Sequence, residues 1–199
     1  MSVSLQKKLG FGVLTGFLVA GPSLAQSFGV GATIGVVNDV TQRFHVEEFK
    51  PKDLNAWVDY EVREKVIVRA TLGTLRMKGA NAGQVVTPPS GSSSVTLPDL
   101  TNHVDYGTLG VSYEFAEGGY TSGLFAGFGG YKIVPDTVDA AIANYRDPHE
   151  TAFGLHGGVD GGVQLISRLT LMIRLTYHNI RSSSGRSLLT ANAGLMYRF

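Results

Sequence analysis

Apolar and polar residues alternate with a period of two along much of the chain. In residues 169–178, LTLMIRLTYH, the odd positions are all leucine, isoleucine or tyrosine, and the even positions include threonine, arginine and histidine. Alternation over about ten residues indicates a β-strand with one apolar and one polar face. Eight segments are predicted as strands: residues 27–37, 54–62, 66–73, 108–115, 120–133, 153–165, 169–178 and 188–199.

One predicted strand leaves its orientation open. Residues 120–133, YTSGLFAGFGGYKI, have a glycine-rich middle and carry aromatic residues on both parities. The sequence therefore predicts a strand here without indicating which side chains point inward.

The connections between the strands alternate in length. Tight turns are predicted near residues 63–65, 116–119 and 166–168, whereas residues 38–53, 75–103, 134–150 and 181–186 form longer connections. In an up-and-down meander, all the long loops then lie at one end. This pattern predicts an all-β fold, an eight-stranded antiparallel up-and-down transmembrane β-barrel with short periplasmic turns and long extracellular loops. A soluble barrel, with its apolar parity lining an internal cavity, is the alternative.

The N-terminus has the features of a cleavable secretory signal peptide. Lys7 and Lys8 precede the apolar residues 9–20, and Ser23-Leu24-Ala25 provides a small-x-small cleavage site. The apolar stretch is shorter than the ~20 residues that a membrane-spanning helix needs. We therefore expect a signal peptide at residues 1–25, cleavage after Ala25, and a barrel domain at residues 26–199.

Composition narrows the possible chemistry. The chain has no cysteine, which excludes disulfides, thiolate metal sites and a cysteine nucleophile. Its formal net charge is +1, so nothing favours nucleic acid as a partner. No metal site and no cofactor are predicted, because His45, His103 and His149 are scattered in or beside the long connections.

If the apolar parity faces lipid, the polar parity fills the lumen. Many of its residues are glycine, and the others include charges of both signs, as a buried network requires. The predicted lumen network consists of Asp59, Glu61, Arg63, Arg69, Glu114, His156, Asp160, Arg174, His178 and Arg198.

The last strand, LLTANAGLMYRF, carries the most specific signal. Ala193, Leu195, Tyr197 and Phe199 form an apolar stripe that ends on an aromatic residue. With the signal peptide and the loop pattern, this ending resembles the small eight-stranded outer-membrane proteins of Gram-negative bacteria, of the OmpA transmembrane-domain, OmpX and Opa-like kind. The resemblance implies an outer-membrane location, periplasmic chaperones, an assembly machinery that recognises these four residues, and a monomer surrounded by outer-membrane lipid.

Three functions remain open at this point: a structural or surface-interaction role, a narrow porin-like channel, and a lipid A- or phospholipid-modifying enzyme. Some barrels of this size are lipid A deacylases with a serine two residues after a histidine; here Ile180 follows His178, so no catalytic residue is predicted. Lipopolysaccharide is an expected partner, because Lys and Arg bind phosphate. The candidate cations are Lys50, Lys52, Arg76, Lys78, Lys132, Arg181 and Arg186.

Overall fold

The computed structural model describes residues 27–40, 52–87 and 94–199. The predicted signal peptide lies outside the described residues. Within the described residues, ten strands and a short 3-10 helix, Ala140–Tyr145, make up the regular structure. The strands are β1 (Phe28–Asp39), β2 (Asp53–Arg63), β3 (Val66–Lys78), β4 (Val85–Val86), β5 (Val95–Thr96), β6 (Thr101–Glu117), β7 (Tyr120–Pro135), β8 (Glu150–Ile166), β9 (Leu169–Ile180) and β10 (Arg186–Arg198).

Eight of the strands form a closed antiparallel barrel, and β4 and β5 form a separate hairpin in the connection between β3 and β6. Each barrel strand pairs with its neighbours along the chain, and β1 pairs with β10 from Gly29↔Arg198 to Asp39↔Leu188 to close the sheet. The predicted all-β, eight-stranded, up-and-down barrel is confirmed. Among the described residues, no helix is long and apolar enough to cross a membrane.

The two ends of the barrel differ in their connections. At the turn end, two-residue turns join β2 to β3, β6 to β7 and β8 to β9. Gly118 and Gly119 both have positive φ, 57° and 86°, as a type I′ hairpin requires, and Lys65 is left-handed at 66°. The opposite end, the loop end, has the longer connections.

The outer wall has a continuous apolar belt. Its members are between 42% and 65% exposed, and they occupy the outward parity of successive strands. The belt includes Ile34, Leu54, Leu72, Leu109, Leu124, Phe128, Leu155, Val159, Leu171, Ile173, Leu175 and Leu195. In β7, where the sequence left the orientation open, Leu124 and Phe128 point outward and Phe125 and Tyr131 are buried.

Several strands are longer than predicted, mainly toward the loop end. β6 begins at Thr101 rather than at residue 108, β3 continues to Lys78 rather than 73, and β8 begins at Glu150 rather than 153. The physical reason is an inversion of the pattern in these extensions: Val104 and Tyr106 are buried inside, whereas Asp105 lies outside. At about 3.4 Å per residue, the 17 residues of β6 reach well beyond an apolar band of about 25 Å.

Candidate functional site

The lumen is built in layers, and its charged layer centres on Arg69. The Arg69 guanidinium donates to both carboxylate oxygens of Asp59, at 2.6 and 2.8 Å, and to Asp160 Oδ2 at 2.5 Å. Asp59 is its cross-strand neighbour, but Asp160 comes from β8 on another part of the wall. Arg174 Nη2 lies 3.6 Å from the same Asp160 oxygen. All four residues are at most 8% exposed, so the layer ties separate strands together through desolvated charges.

Two aromatic rings frame the arginines. The Arg174 Cζ atom lies 3.9 Å from the centroid of Trp57 and 5.5 Å from that of Phe125, and Arg69 lies 5.6 and 5.7 Å from the same rings. Arginine over an aromatic face is favourable, more so when desolvated. Gly31 makes this arrangement possible, because a Cβ there would clash with the Trp57 ring. The rings and the ion pairs together fill the middle of the lumen.

The turn end has a looser set of polar contacts. Glu114 accepts a hydrogen bond from Arg198, whose side chain is 32% exposed, and Glu61 accepts one from Ser27. The assignment of Arg63 to the lumen network was wrong: its side chain is exposed beside the turn. A register shift between Glu61 and Arg63 interrupts the alternation there, so parity no longer fixes which way the residue points.

A polar and aromatic layer lies above the arginines. Asp53 accepts hydrogen bonds from Asn192 Nδ2 at 2.6 Å, Tyr106 Oη at 3.1 Å and Asn55 Nδ2 at 3.2 Å. His178 Nδ1 lies 2.9 Å from Tyr131 Oη. These residues are buried among one another, which satisfies the carboxylate without a neighbouring cation at hydrogen-bond distance.

His156 joins the polar layer to the charged layer. Its ring stacks on that of His178, with 6.2 Å between centroids, and tilts against Phe125 at 6.1 Å. A cavity of about 20 Å³ lies beside it, lined in part by Arg69, Arg174 and Thr108. Such a volume accommodates about one water molecule. The two histidines therefore belong to the packing of the lumen.

An apolar layer closes the lumen toward the loop end. It is made of nine side chains between 0% and 7% exposed, contributed by six of the eight barrel strands, with Val37 of β1 packed against it. The nine residues are Leu75, Met77, Val104, Tyr106, Tyr131, Ile133, Ala152, Ile180 and Leu188. A continuous column of water at this level would expose some of these side chains, whereas all nine are at most 7% exposed.

The connections cover the mouth above the apolar layer. Arg186, 2% exposed, donates to Asp39 Oδ2 at 2.7 Å and to the Lys78 carbonyl at 3.1 Å, and it lies 3.4 Å from Asp147 Oδ2. Asp147, which follows the 3-10 helix, also accepts from Asn102 Nδ2 at 2.5 Å and from the backbone N–H of Ala80. We call Arg186, Asp147, Asn102 and Asp39 the mouth latch, because they join β1, β6, β10 and the connection between β7 and β8 across the opening.

The predicted assembly signal lies on the outer wall. Ala193, Leu195, Tyr197 and Phe199 point outward along the closing strand β10, and the Phe199 ring contacts Phe28 of β1 at 5.5 Å between centroids. The prediction that Arg186 is a surface cation was wrong, because its side chain is buried in the mouth latch. Lys78 lies 3.5 Å from Asp99, and Lys50 is outside the described residues.

The described part of the chain holds one cluster with the residue types of a catalytic relay. On the outer wall, His103 Nε2 lies 2.8 Å from Thr74 Oγ1 and 3.1 Å from Asp105 Oδ1. A relay needs the acid and the hydroxyl on opposite ring nitrogens, whereas here both contact the same one. Among the described residues, no group of three or more His, Asp or Glu has the arrangement of a metal site.

Sequence reasoning missed much of the lumen. Three of the missed residues lie at inward positions of predicted strands: Trp57, Asn55 and Asn192. The alternation of inward and outward positions could therefore have identified them. Asp147 could not be found in this way, because it comes from a connection, where side-chain direction follows no period.

Known proteins share this fold at low sequence identity. No protein-family model matches the chain, and no curated protein matches it significantly. The N-terminal β-barrel domain of Pseudomonas aeruginosa OprF is 12% identical, with a TM-score of 0.56 over 87% of this chain and 97% of that one. Neisserial surface protein A is 10% identical, with a TM-score of 0.58 over 87% and 97%. The outer-membrane protein OprG of Pseudomonas aeruginosa is 13% identical, with a TM-score of 0.53 over 90% and 98%. The chain therefore has the fold of eight-stranded outer-membrane barrels.

Proposed function

We propose that the chain is an integral outer-membrane barrel with a sealed lumen, which acts at the cell surface rather than as a pore. The apolar belt supports the membrane location, because a closed sheet with outward-facing leucine and isoleucine suits hydrocarbon and leaves no unpaired strand edge. The similar solved structures include an outer-membrane protein and a neisserial surface protein, which agrees with this location.

The apolar layer is the single observation that carries the proposal of a sealed lumen. A conducting barrel of this size needs a polar path along its axis, whereas Val104, Tyr131 and Leu188, in the part of the lumen toward the loop end, are inaccessible to solvent. The loop end then faces the exterior of the cell, where its connections are presented. We infer no catalytic role, since the relay geometry at His103 is unsuitable.

Assembly is the second part of the proposal. The outward stripe of Ala193, Leu195, Tyr197 and Phe199 lies on the strand that closes the barrel, where an assembly machinery would engage the chain before closure. Periplasmic chaperones and a monomeric final state remain expectations of the same proposal.

Expression in a Gram-negative host tests the location and the orientation. We expect the protein in the outer-membrane fraction, a heat-modifiable band on gels, and labelling of intact cells at a cysteine introduced at Ser183, an exposed residue at the loop end. A cysteine at Ser167, exposed in the turn between β8 and β9, is the matched control and should react only after the membrane is opened. Recovery in the soluble fraction, or labelling of position 167 alone in intact cells, would overturn the proposal.

A further inference from the structure

Directly above the apolar belt, the outer wall carries a short row of basic residues on three neighbouring strands. The N–H of Arg76 in β3 donates to the carbonyl of Lys52, which immediately precedes β2, at 2.8 Å. Arg76 is in turn paired with His103 of β6. Side chains opposite each other on adjacent strands have Cβ atoms about 4.5–5.5 Å apart, so all three can contact a single small ligand.

The row borders a groove of about 240 Å³ in the outer wall. Lys52, Arg76 and His103 line it together with Ile34 and Leu54. The two apolar side chains are 53% and 56% exposed and belong to the belt. The groove therefore joins a cationic upper edge to an apolar lower surface, which is the distribution of a lipid with an anionic headgroup and acyl chains.

Among the described residues, no carboxylate forms an ion pair with Lys52 or Arg76. The two cations lie opposite each other across the strands, and like charges in that arrangement destabilise a sheet. His103 is held by Thr74 and Asp105, which leaves the lysine and the arginine to bind an anion. Lys132, on the next strand, differs because it lies opposite Asp105 in the strand register and does not line the groove.

We propose that this groove binds the phosphate group of a phosphorylated glycolipid in the outer leaflet, with Lys52 and Arg76 on the phosphate and the acyl chains on Ile34 and Leu54. The proposal rests on the outer-membrane location proposed above and assigns a specific place to the lipid contact. Arginine matches phosphate with its forked donors and lysine acts as a compact charge, so the pair supplies several charge-assisted hydrogen bonds.

Binding of lipid A to the folded barrel in neutral detergent micelles tests the site. We expect Lys52→Gln/Arg76→Gln to weaken the binding of diphosphorylated lipid A by roughly tenfold or more, because two charge-assisted hydrogen-bonding groups are lost. The matched control, Lys132→Gln, should bind within about twofold of the wild type, since Lys132 does not line the groove.

Two further arms identify the ligand. Dephosphorylated lipid A should bind the wild type about as weakly as diphosphorylated lipid A binds the double variant. Inorganic phosphate should compete poorly, because it lacks the acyl chains. Equal binding by the wild type and the double variant would overturn the site, and full competition by millimolar phosphate would overturn the assignment to a lipid.

The folded state of each sample separates this proposal from the one on which it rests. A heat-modifiable band shows that a variant has formed its barrel. If the wild type itself gave no such band in micelles or vesicles, the membrane barrel would be contradicted. If all the variants folded and bound lipid A equally, only the groove would be contradicted.

Discussion

The half of the barrel at the turn end and the half at the loop end have opposite interiors. In the first, apolar residues such as Ile173 face outward, and Arg69, Asp59 and Asp160 fill the lumen. In the second, Leu188 and Val104 face inward, and Asp105 and Lys132 face outward. The half at the turn end has an apolar outer face, which suits contact with hydrocarbon. The half at the loop end has a polar outer face and an apolar interior, as a small water-soluble barrel does. The position of the inversion therefore marks where the outer wall leaves the membrane.

The two interiors also differ in what a substitution leaves behind. A buried charge that loses its partner remains desolvated and uncompensated, whereas a truncated apolar side chain leaves a cavity whose walls are still compatible with one another. We therefore expect the charged layer to be the more sensitive of the two, although neither is accessible to solvent.

Arg69→Ala should have the largest effect. The substitution removes the partner of Asp59 and of Asp160, and we expect a loss of about 3–5 kcal/mol in the free energy of unfolding, measured by urea titration in lipid vesicles. Adding Asp59→Asn to the same chain should recover part of the loss, because Asp160 keeps Arg174 as a partner and no uncompensated carboxylate then remains. Equal losses in the single and the double variant would show that the charges of Arg69 and Asp59 are not coupled.

A charge placed on the outer wall compares the two halves directly. Ile173→Lys lies within the belt, and we expect it to cost about 2–4 kcal/mol in vesicles, because the ammonium must enter hydrocarbon. Thr151→Lys, outward in the half at the loop end, should cost less than about 1 kcal/mol even beside Lys132. Similar costs at both positions would contradict the membrane boundary inferred from the inversion.

Leu188→Ala examines the apolar layer. Leu188 is 0% exposed, and its truncation should cost about 2–3 kcal/mol in the same titration, from lost burial and from the cavity created. Leu188→Met, which keeps most of the volume, should cost less than about 1.5 kcal/mol. If alanine were tolerated as well as methionine, the layer would not be closely packed.

The mouth latch should give the smallest effect on global stability. Asp147→Asn weakens acceptance from Asn102, Arg186 and the backbone of Ala80, and we expect a loss of about 1–2 kcal/mol. Amide hydrogen exchange should speed up locally in residues 136–149. Asp136→Asn, exposed in the same connection, is the control and should leave the exchange unchanged.

The comparison also explains what the sequence could predict. In the half at the turn end, period-two alternation with an apolar outer face identified the strands and the inward position of Arg69 and Asp160. In the other half the alternation continues with its polarity reversed: Asn102, Val104 and Tyr106 are inward. The predicted strand begins only at residue 108, because the outward residues before it are polar. Arg186 follows the inward parity of β10 and could have been found by extending that strand by two residues. Asp147 depends on how a long connection folds over the mouth, which no local pattern encodes.

Single-channel conductance of the refolded chain, residues 26–199, in planar bilayers tests the sealed lumen most directly. Heat-modifiable mobility first establishes that the barrel has folded, and a porin of known conductance establishes that the bilayer reports open channels. The apolar layer around Leu188 and the ion pairs around Arg69 predict no discrete current steps from the folded protein. Steady, discrete steps from a fully folded sample would mean that water crosses the apolar layer, and they would contradict the account.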